Sequence, residues 1–346
     1  MELLINDGNS TICDEWDEYV NSNTDCGLYH SIKFINFISS YFNYDKYLFY
    51  TRGNHKINGI LPMVKAKVFP YGKQFVSHPF VGSYNSICAD NQDIKNYIVD
   101  GLTAFIKNTK IRFAELRERS DESLDLPSYD IFANYELDLT ENIHEIWSKN
   151  IHSKTRNQIR KAKNNNLIWN LYGEEGINKF YEVYALTMRQ LGSPSLSKSF
   201  FMGLIRSFPD EMRIAIVTIH KKPISVLWLV KSKNKVHNPW AGFNREYQHL
   251  CPNNLNYWKS IEWAKQLDCK TFDFGRSIRN SGQAKFKMQW GVIEVLLTYY
   301  YVLNEKEKIP EINPTNMMIR YMTKLWKLIP HNIQSHIGER FASRVP

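Results

Sequence analysis

Residues 213–240 read RIAIVTI-HKKP-ISVLWLV-KSKN-KVHNPW. Two apolar runs rich in β-branched residues, Arg213 to Ile219 and Ile224 to Val230, flank the turn His220-Lys221-Lys222-Pro223, and a third run covers Lys235 to Trp240. That pattern predicts a β-hairpin followed by a further strand. Upstream, helical spacing of apolar residues predicts helices over 177–190 and 198–207. Downstream, a loop through Pro252 leads into a helix from Leu255 to Leu267 and a strand from Thr271 to Phe274. The first half runs in the same order. A helix from Ile32 to Phe42 precedes strands Tyr47 to Thr51 and Ile57 to Val64, joined by a Gly53-Asn54 turn. A strand from Gln74 to Ser77, a polar turn around Gly82, a helix from Ile94 to Ile106 and a strand from Ile111 to Leu116 complete it. Helix, hairpin, strand, helix, strand thus occurs twice, with a joint near Asn142 to Ser153. Either a duplication or the independent recurrence of a common unit produces such an order.

The length of 346 residues suits two domains, expected at 1–147 and 148–304, with 305–346 packing against the first. Hydrophobic residues form 43% of the chain and aromatics 14%, enough for two cores, so a disordered tail is excluded. The net charge of +9 favours an anionic partner such as phosphate, nucleic acid or a lipid headgroup. Cys13, Cys26, Cys88, Cys251 and Cys269 are scattered, odd in number and never in a CxxC pair, which fits a reducing cytoplasm and predicts neither a disulfide framework nor a metal site. No stretch nears the ~18 apolar residues of a membrane span. Apolar Met318, Met322, Leu325 and Ile329 at helical spacing mark 314–330 as an amphipathic helix, which packs on the first domain or touches the inner membrane from the cytoplasmic side. No GxGxxG, P-loop, HExxH or GxSxG is present, so nicotinamide, nucleotide-hydrolase, zinc-protease and serine-hydrolase readings lose support.

Two segments carry chemistry. In Ser153-Lys154-Thr155-Arg156-Asn157-Gln158-Ile159-Arg160-Lys161-Ala162-Lys163, a helix with Trp147, Ile151, Thr155, Ile159 and Ala162 inward and Ser153 as a candidate N-cap aligns Arg156, Arg160 and Lys163 on one adjacent face. That row either binds phosphate oxygens through guanidinium forks or is a solvated basic surface. In Thr271-Phe272-Asp273-Phe274-Gly275-Arg276-Ser277, Asp273 faces away from Phe272 and Phe274, and Gly275 permits a tight exit that presents Arg276 and Ser277 at the strand's carboxyl end, where α/β folds place ligands. Lys287, between Phe286 and Trp290, is a shielded cation at a cleft or a lysine snorkelling from an apolar cluster. The rings of Trp228, Trp240, Phe243, Tyr247 and Tyr257 stack on sugars or fill the core.

The element order is that of the acetyltransferase-like GNAT fold, in which two central parallel strands splay to admit an acyl donor. Over most of its length the chain resembles the Fem-type, GNAT-related transferases, which include peptidoglycan-bridge aminoacyl transferases and relatives encoded with exopolysaccharide systems. The resemblance rests on KTRNQIRKA (154–162), MRQLGSP (188–194), PNN (252–254), FDFGRS (272–277) and FKMQWG (286–291), with weaker echoes at His30, Gly59 to Pro62, Ser77 to Phe80, Glu115 to Arg117 and the tail 338–346. It implies an α/β chain of two tandem GNAT-like domains facing a cleft, and an amide-forming N-acyltransferase. The acceptor is an amine on a nucleotide- or lipid-linked surface-glycan precursor. The resemblance implies that Lys287 stabilises the oxyanion, that Glu115 or Asp273 orients or deprotonates the amine, and that Arg156 and Arg160 hold phosphate. The matching motifs add His78, Arg117, Arg276, Ser277, Asn254 and Trp290 to the substrate-binding set, beside Trp240 and Tyr257. No permanently bound cofactor is expected, and DNA is not among the expected partners. The donor is aminoacyl-tRNA or acetyl- or acyl-CoA. The stretch leading into the helix at 255–267 carries no [RQ]xxGx[GA] phosphate loop of the kind CoA-dependent relatives have, which favours charged tRNA. The coiled-coil arm of some bridge-building members is missing too, which counts against a peptidoglycan acceptor. An acetyl-CoA-dependent amino-sugar acetyltransferase and a non-catalytic glycan- or nucleic-acid-binding protein are the alternatives.

Overall fold

The computed structural model describes residues 2–6, 10–68, 72–81, 84–119, 123–310 and 326. The turn expected around Gly82, the helix expected over 314–330 and the tail 338–346 lie outside the described residues. Two compact units form, one from Met1–Phe132 and Leu296–Ile312, the other from Ala133–Val295.

In the first unit the order is β1 (Leu4–Asn6), α1 (Ser10–Ser22), α2 (Ile32–Phe42), β2 (Asp45–Gly53), β3 (Lys56–Val68), β4 (Gly72–Val76), β5 (Cys88–Ala89), α3 (Gln92–Lys107) and β6 (Phe113–Arg119). β7 (Ser128–Asp138) leads into the second unit. There follow α4 (Ile143–Glu145), α5 (Ser153–Asn164), β8 (Ile168–Tyr172), α6 (Ile177–Leu191), α7 (Lys198–Ser207), β9 (Met212–Ile219), β10 (Lys222–Ser232), β11 (Lys235–Phe243), α8 (Pro252–Gln266), β12 (Thr271–Asp273), β13 (Ser277–Ile278) and α9 (Gly282–Met288). β14 (Ile293–Leu303) returns to the first unit from Leu296 onward.

The two units share a sheet plan. The first runs β1-β2-β3-β4-β6-β14 and the second β7-β12-β11-β10-β9-β8. Each contains one parallel pair among antiparallel neighbours: β4 with β6 (Val76↔Glu115), and β11 with β12 (His237↔Asp273). Strand alternation covers both faces of each sheet. Leu48 and Ile60 pack with Trp16 and Ile35 on one side, while Phe49 and Leu61 pack with Ile98 and Leu102 on the other. In β10, Leu227 and Leu229 meet Ile261 of α8, and Trp228 meets Phe180 and Phe201 of α6 and α7. A strand buried on both faces is apolar at consecutive positions, which is why ISVLWLV does not alternate. Trp228→Ala is expected to cost about 3–5 kcal/mol, read as a lowered denaturation midpoint.

The helix expected to run unbroken from Trp147 to Ala162 is broken at Ile151, which is extended (φ −79°, ψ 127°). A π-turn over Ile146–Asn150 precedes the break, and the His152 N–H leaves the helical pattern to donate to the Gln289 carbonyl. His152, not Ser153, takes the N-cap position, while Thr155, Ile159 and Ala162 are buried as expected. α1, β7, β8 and β14 lie outside the repeated order read from the sequence.

Candidate active site

The parallel pair of the second unit ends at His237↔Asp273, yet β11 continues to Phe243 with β10 as its ladder partner. A register shift between Trp228 and Val230 bends this ladder. One edge of β11 is therefore freed beyond residue 237. A cavity of about 760 Å³ opens there, within the range of small-molecule sites. β11 contributes Asn238 to Phe243, and α6 contributes Tyr184, Thr187, Met188 and Leu191, one helical stripe at i, i+3, i+4, i+7. Further parts of the wall come from Lys154 and Gln158 of α5, Arg245 and Gln248 before α8, the start of α8, Phe274 and Arg276 after β12, and Gln283, Phe286 and Lys287 of α9 with Gln289 beyond it. Gly242 lets α6 approach, since a Cβ there would lie 2.9 Å from Thr187 Oγ1 and 3.1 Å from Tyr184 Cα. By contrast, the space at the end of β4 in the first unit is about 10 Å³ and is lined by Tyr29, Val76, His78 and apolar neighbours.

Lys287 reaches this cavity from a buried position, with only 7% of its surface exposed. Its ammonium donates to the carbonyls of Gly275 at 2.7 Å and Arg276 at 3.3 Å, and lies 5.4 Å from the centroid of the Tyr135 ring. Burial pushes its pKa down to about 7, with nearby Asp273 opposing that fall and Arg276 adding to it. His237 is likewise held below its ordinary value, chiefly by burial. Gly275 carries the turn at φ +76°, and a Cβ there would meet the Asn238 carbonyl oxygen inside ordinary contact distance. The Asn238 amide donates to the carbonyls of Trp228 (2.8 Å) and Trp240 (2.9 Å) and accepts from the Tyr257 hydroxyl (3.0 Å). This buried amide ties β10, β11 and α8 together where the strands part.

Of the residues expected at the site, Lys287, Arg276, Trp240, Tyr257 and Asn254 line the cavity, and Asn254 also donates to Gln158. Several others do not. Trp290 is fully buried against Phe274, Tyr257 and Phe286 and packs the core. Arg156 donates to the carbonyls of Trp147, Ser148 and Ile151, capping the turn where the chain breaks. Arg160 bonds Asn157 and sits 5.6 Å from the Trp147 ring centroid. Neither arginine lines the cavity, and the cation that α5 presents there is Lys154. Asp273 lies behind the wall, one carboxylate oxygen accepting from Asn134 at 2.9 Å and the other from the Gly275 N–H at 2.8 Å. Ser277 is buried and outside the lining. Glu115 and Arg117 belong to the first unit and form a buried ion pair at 2.8 Å, with Tyr301 donating to Glu115 and Arg117 donating to the His78 carbonyl. His78 itself is buried, its ring edge-on to His30 at 4.3 Å. Sequence reasoning missed Lys154, Thr187, Asn238, Arg245 and Gln283. The α6 stripe had a readable period, whereas the others follow from where loops and helix starts land.

Cys26, His30 and Cys88 of the first unit bring their ligand atoms within 4.8 Å of one another. His30 Nδ1, however, accepts from the Gly27 N–H at 3.0 Å, and Nε2 lies 2.6 Å from the Asn85 carbonyl. The imidazole is committed to backbone on both sides, which makes this a hydrogen-bonded core cluster with no ring lone pair aimed at an ion.

The parted parallel strands, the ligand-sized cavity and the buried lysine lie in the stretch that matches the acetyltransferase (GNAT) domain model, residues 150–288. The chain as a whole shares its fold with FemX and with tandem GNAT proteins. It superimposes on the crystal structure of FemX with a TM-score of 0.65 at 13% identity, covering 87% of this chain and 97% of that one. The structure of L-PGS from Bacillus licheniformis gives 0.57 at 11% identity (91% and 96% covered). A tandem GNAT protein from the clavulanic acid biosynthesis pathway gives 0.50 at 8% (87% and 98%). No curated protein matches by sequence.

Proposed function

We propose that the protein is an N-acyltransferase that joins an activated acyl or aminoacyl group to an amine on a phosphate-bearing surface-glycan precursor. The observation that carries this reading is the charge of the cavity wall. Lys154, Arg245, Arg276 and Lys287 line it together with the carboxamides of Gln158, Asn238, Gln248, Asn253, Asn254, Gln283 and Gln289, and among the described residues no carboxylate does. Such a wall suits a ligand with anionic groups and many hydroxyl or amide groups, as a phosphorylated glycan precursor has. In the reaction the amine lone pair forms a bond to the donor carbonyl carbon, and a tetrahedral oxyanion develops. On this reading the Lys287 ammonium at the cavity wall donates to that oxygen. The carbonyl then re-forms, the ester or thioester bond breaks, and the departing oxygen or sulfur takes up the proton shed by the amine.

Two donors fit this chemistry. The match to a GNAT acetyltransferase domain supports an acyl-CoA thioester. The approach to α8 supports an aminoacyl ester of tRNA: a 3₁₀ turn over Arg245–Leu250 stands before the helix, and Pro252 at its first turn contributes no N–H to a pyrophosphate cradle. Calorimetric titration with acetyl-CoA at moderate salt separates them. Saturable one-to-one binding favours the acetyl-CoA-dependent amino-sugar acetyltransferase. Absence of binding, followed by loss of the amino acid from charged tRNA to a glycan precursor, favours aminoacyl transfer. If neither donor is consumed with any amino-sugar or peptide acceptor, the enzyme reading falls. A cytoplasmic setting suits both donors, and no helix among the described residues is long and apolar enough to cross a membrane.

A further inference from the structure

Asp273 is the carboxylate whose charge acts on Lys287, and its placement sets it apart from the cavity. The carboxylate is 3% exposed and absent from the cavity wall, with each oxygen engaged as an acceptor, from Asn134 Nδ2 and from the Gly275 N–H. The same glycine, however, faces Lys287. Because Gly275 adopts φ +76°, one residue gives its N–H to Asp273 and its carbonyl to the Lys287 ammonium. Carboxylate and ammonium are thus held on opposite ends of a single left-handed turn, and Asn134 on β7 fixes the carboxylate's rotation.

The charged and titratable groups around this ammonium come from every neighbouring strand and loop. They are Asp273 on β12, Arg276 beyond it, the Tyr135 ring on β7 and His237 on β11, which stands in register with Asp273. Among them Asp273 is the anion; Arg276 opposes the ammonium, and buried His237 is held toward its neutral form. A buried ammonium with no anion nearby surrenders its proton.

Resting on the transferase reading above, we propose that Asp273 serves Lys287 and not the substrate: it is a positioning residue, the buried counter-charge that keeps the Lys287 ammonium protonated and aimed through Gly275, with Asn134 holding it in place. Asp273 therefore does not act as the proton acceptor for the amine.

The test follows the ammonium itself and needs neither donor nor acceptor. Protein labelled with [ε-¹³C]lysine is titrated by NMR, the Lys287 resonance being assigned by its loss in Lys287→Gln. In Asp273→Asn, which keeps the shape and removes the charge, the Lys287 midpoint is expected to fall by about one unit or more. Asn134→Ala, which removes a single hydrogen bond and keeps the Asp273 side chain, is expected to move it part of the way in the same direction, and stands in should Asp273→Asn fail to fold. An unmoved midpoint in the folded variants overturns the proposal. So does a transfer assay in which Asp273→Asn abolishes turnover at every pH while the lysine still titrates as in the wild type, the behaviour of a general base. A lowered midpoint in a protein that transfers nothing keeps this inference and sinks the transferase reading; transfer with an unmoved midpoint does the reverse.

Discussion

Lys287→Ala is expected to lower kcat for acyl transfer by about 10²–10³ while leaving KM little changed, because the donor it removes faces charge that exists only in the transition state. The variant keeps the cavity's other cations, Lys154, Arg245 and Arg276, so ligand binding should survive. A parallel loss of binding and turnover, or no loss at all, removes Lys287 from the chemistry. The pH dependence carries a sign. With the ammonium titrating at about 7, turnover at saturating ligand should fall as pH rises through that value, since the neutral amine is a poorer donor to an oxyanion. Stability should move the other way. Lys287 is depressed in the fold from its ordinary 10.5, so between about 7 and 10.5 the unfolded chain binds the extra proton. Stability therefore rises with pH across that window. Lys287's contribution to the slope should be absent in Lys287→Met, so that the difference from wild type reports it, a comparison made by denaturant titration at several pH values.

The second large effect is expected of Gly275→Ala. The residue sits in the left-handed region, and an added methyl would press on the Asn238 carbonyl oxygen. Because that oxygen belongs to β11, which Asn238 itself ties to β10 and α8, it cannot move aside without parting the strands. Left-handed strain alone costs roughly 1–2 kcal/mol, and the backbone clash should bring the total to about 3 kcal/mol or more. Turnover should fall further than folding does, since the displaced turn carries the carbonyl that holds Lys287 and the N–H that holds Asp273. A variant with wild-type melting behaviour and full activity would mean that the turn is soft and that the lysine is not held by it.

These two residues also show how far the amino-acid sequence could be read. The hairpin 213–230, the helices at 32–42 and 198–207 and the strand at 271 were legible because local period and turn chemistry decide them, and tertiary packing merely agreed. The GNAT order was legible for the same reason. The helix through residue 151 was misread because a hydrogen bond from His152 to Gln289, far along the chain, outweighs helical continuation there. Gly275 announced a tight turn, and its left-handed φ satisfies that expectation. Which groups the turn would link was beyond any local pattern.

The basic segment at 153–163 marks the division most clearly. Its residues by themselves determined a helix with Thr155, Ile159 and Ala162 inward, since apolar spacing and burial are one-dimensional information. They did not determine which cation meets a ligand. Arg156 and Arg160 were favoured by their row, but the former has nearby carbonyls to cap and the latter has Trp147 to lie against, so Lys154 is the one left at the cavity. The same holds at the strand ends: the sequence alone determined that a glycine exit follows Asp273 and that Lys287 stands between Phe286 and Trp290, and the tertiary structure decided that the lysine meets that exit and faces the cavity while the carboxylate stands behind it. The physical reason is that element type follows from short-range sterics and periodicity, whereas access to a cavity depends on which distant carbonyl, ring or helix start reaches a side chain first.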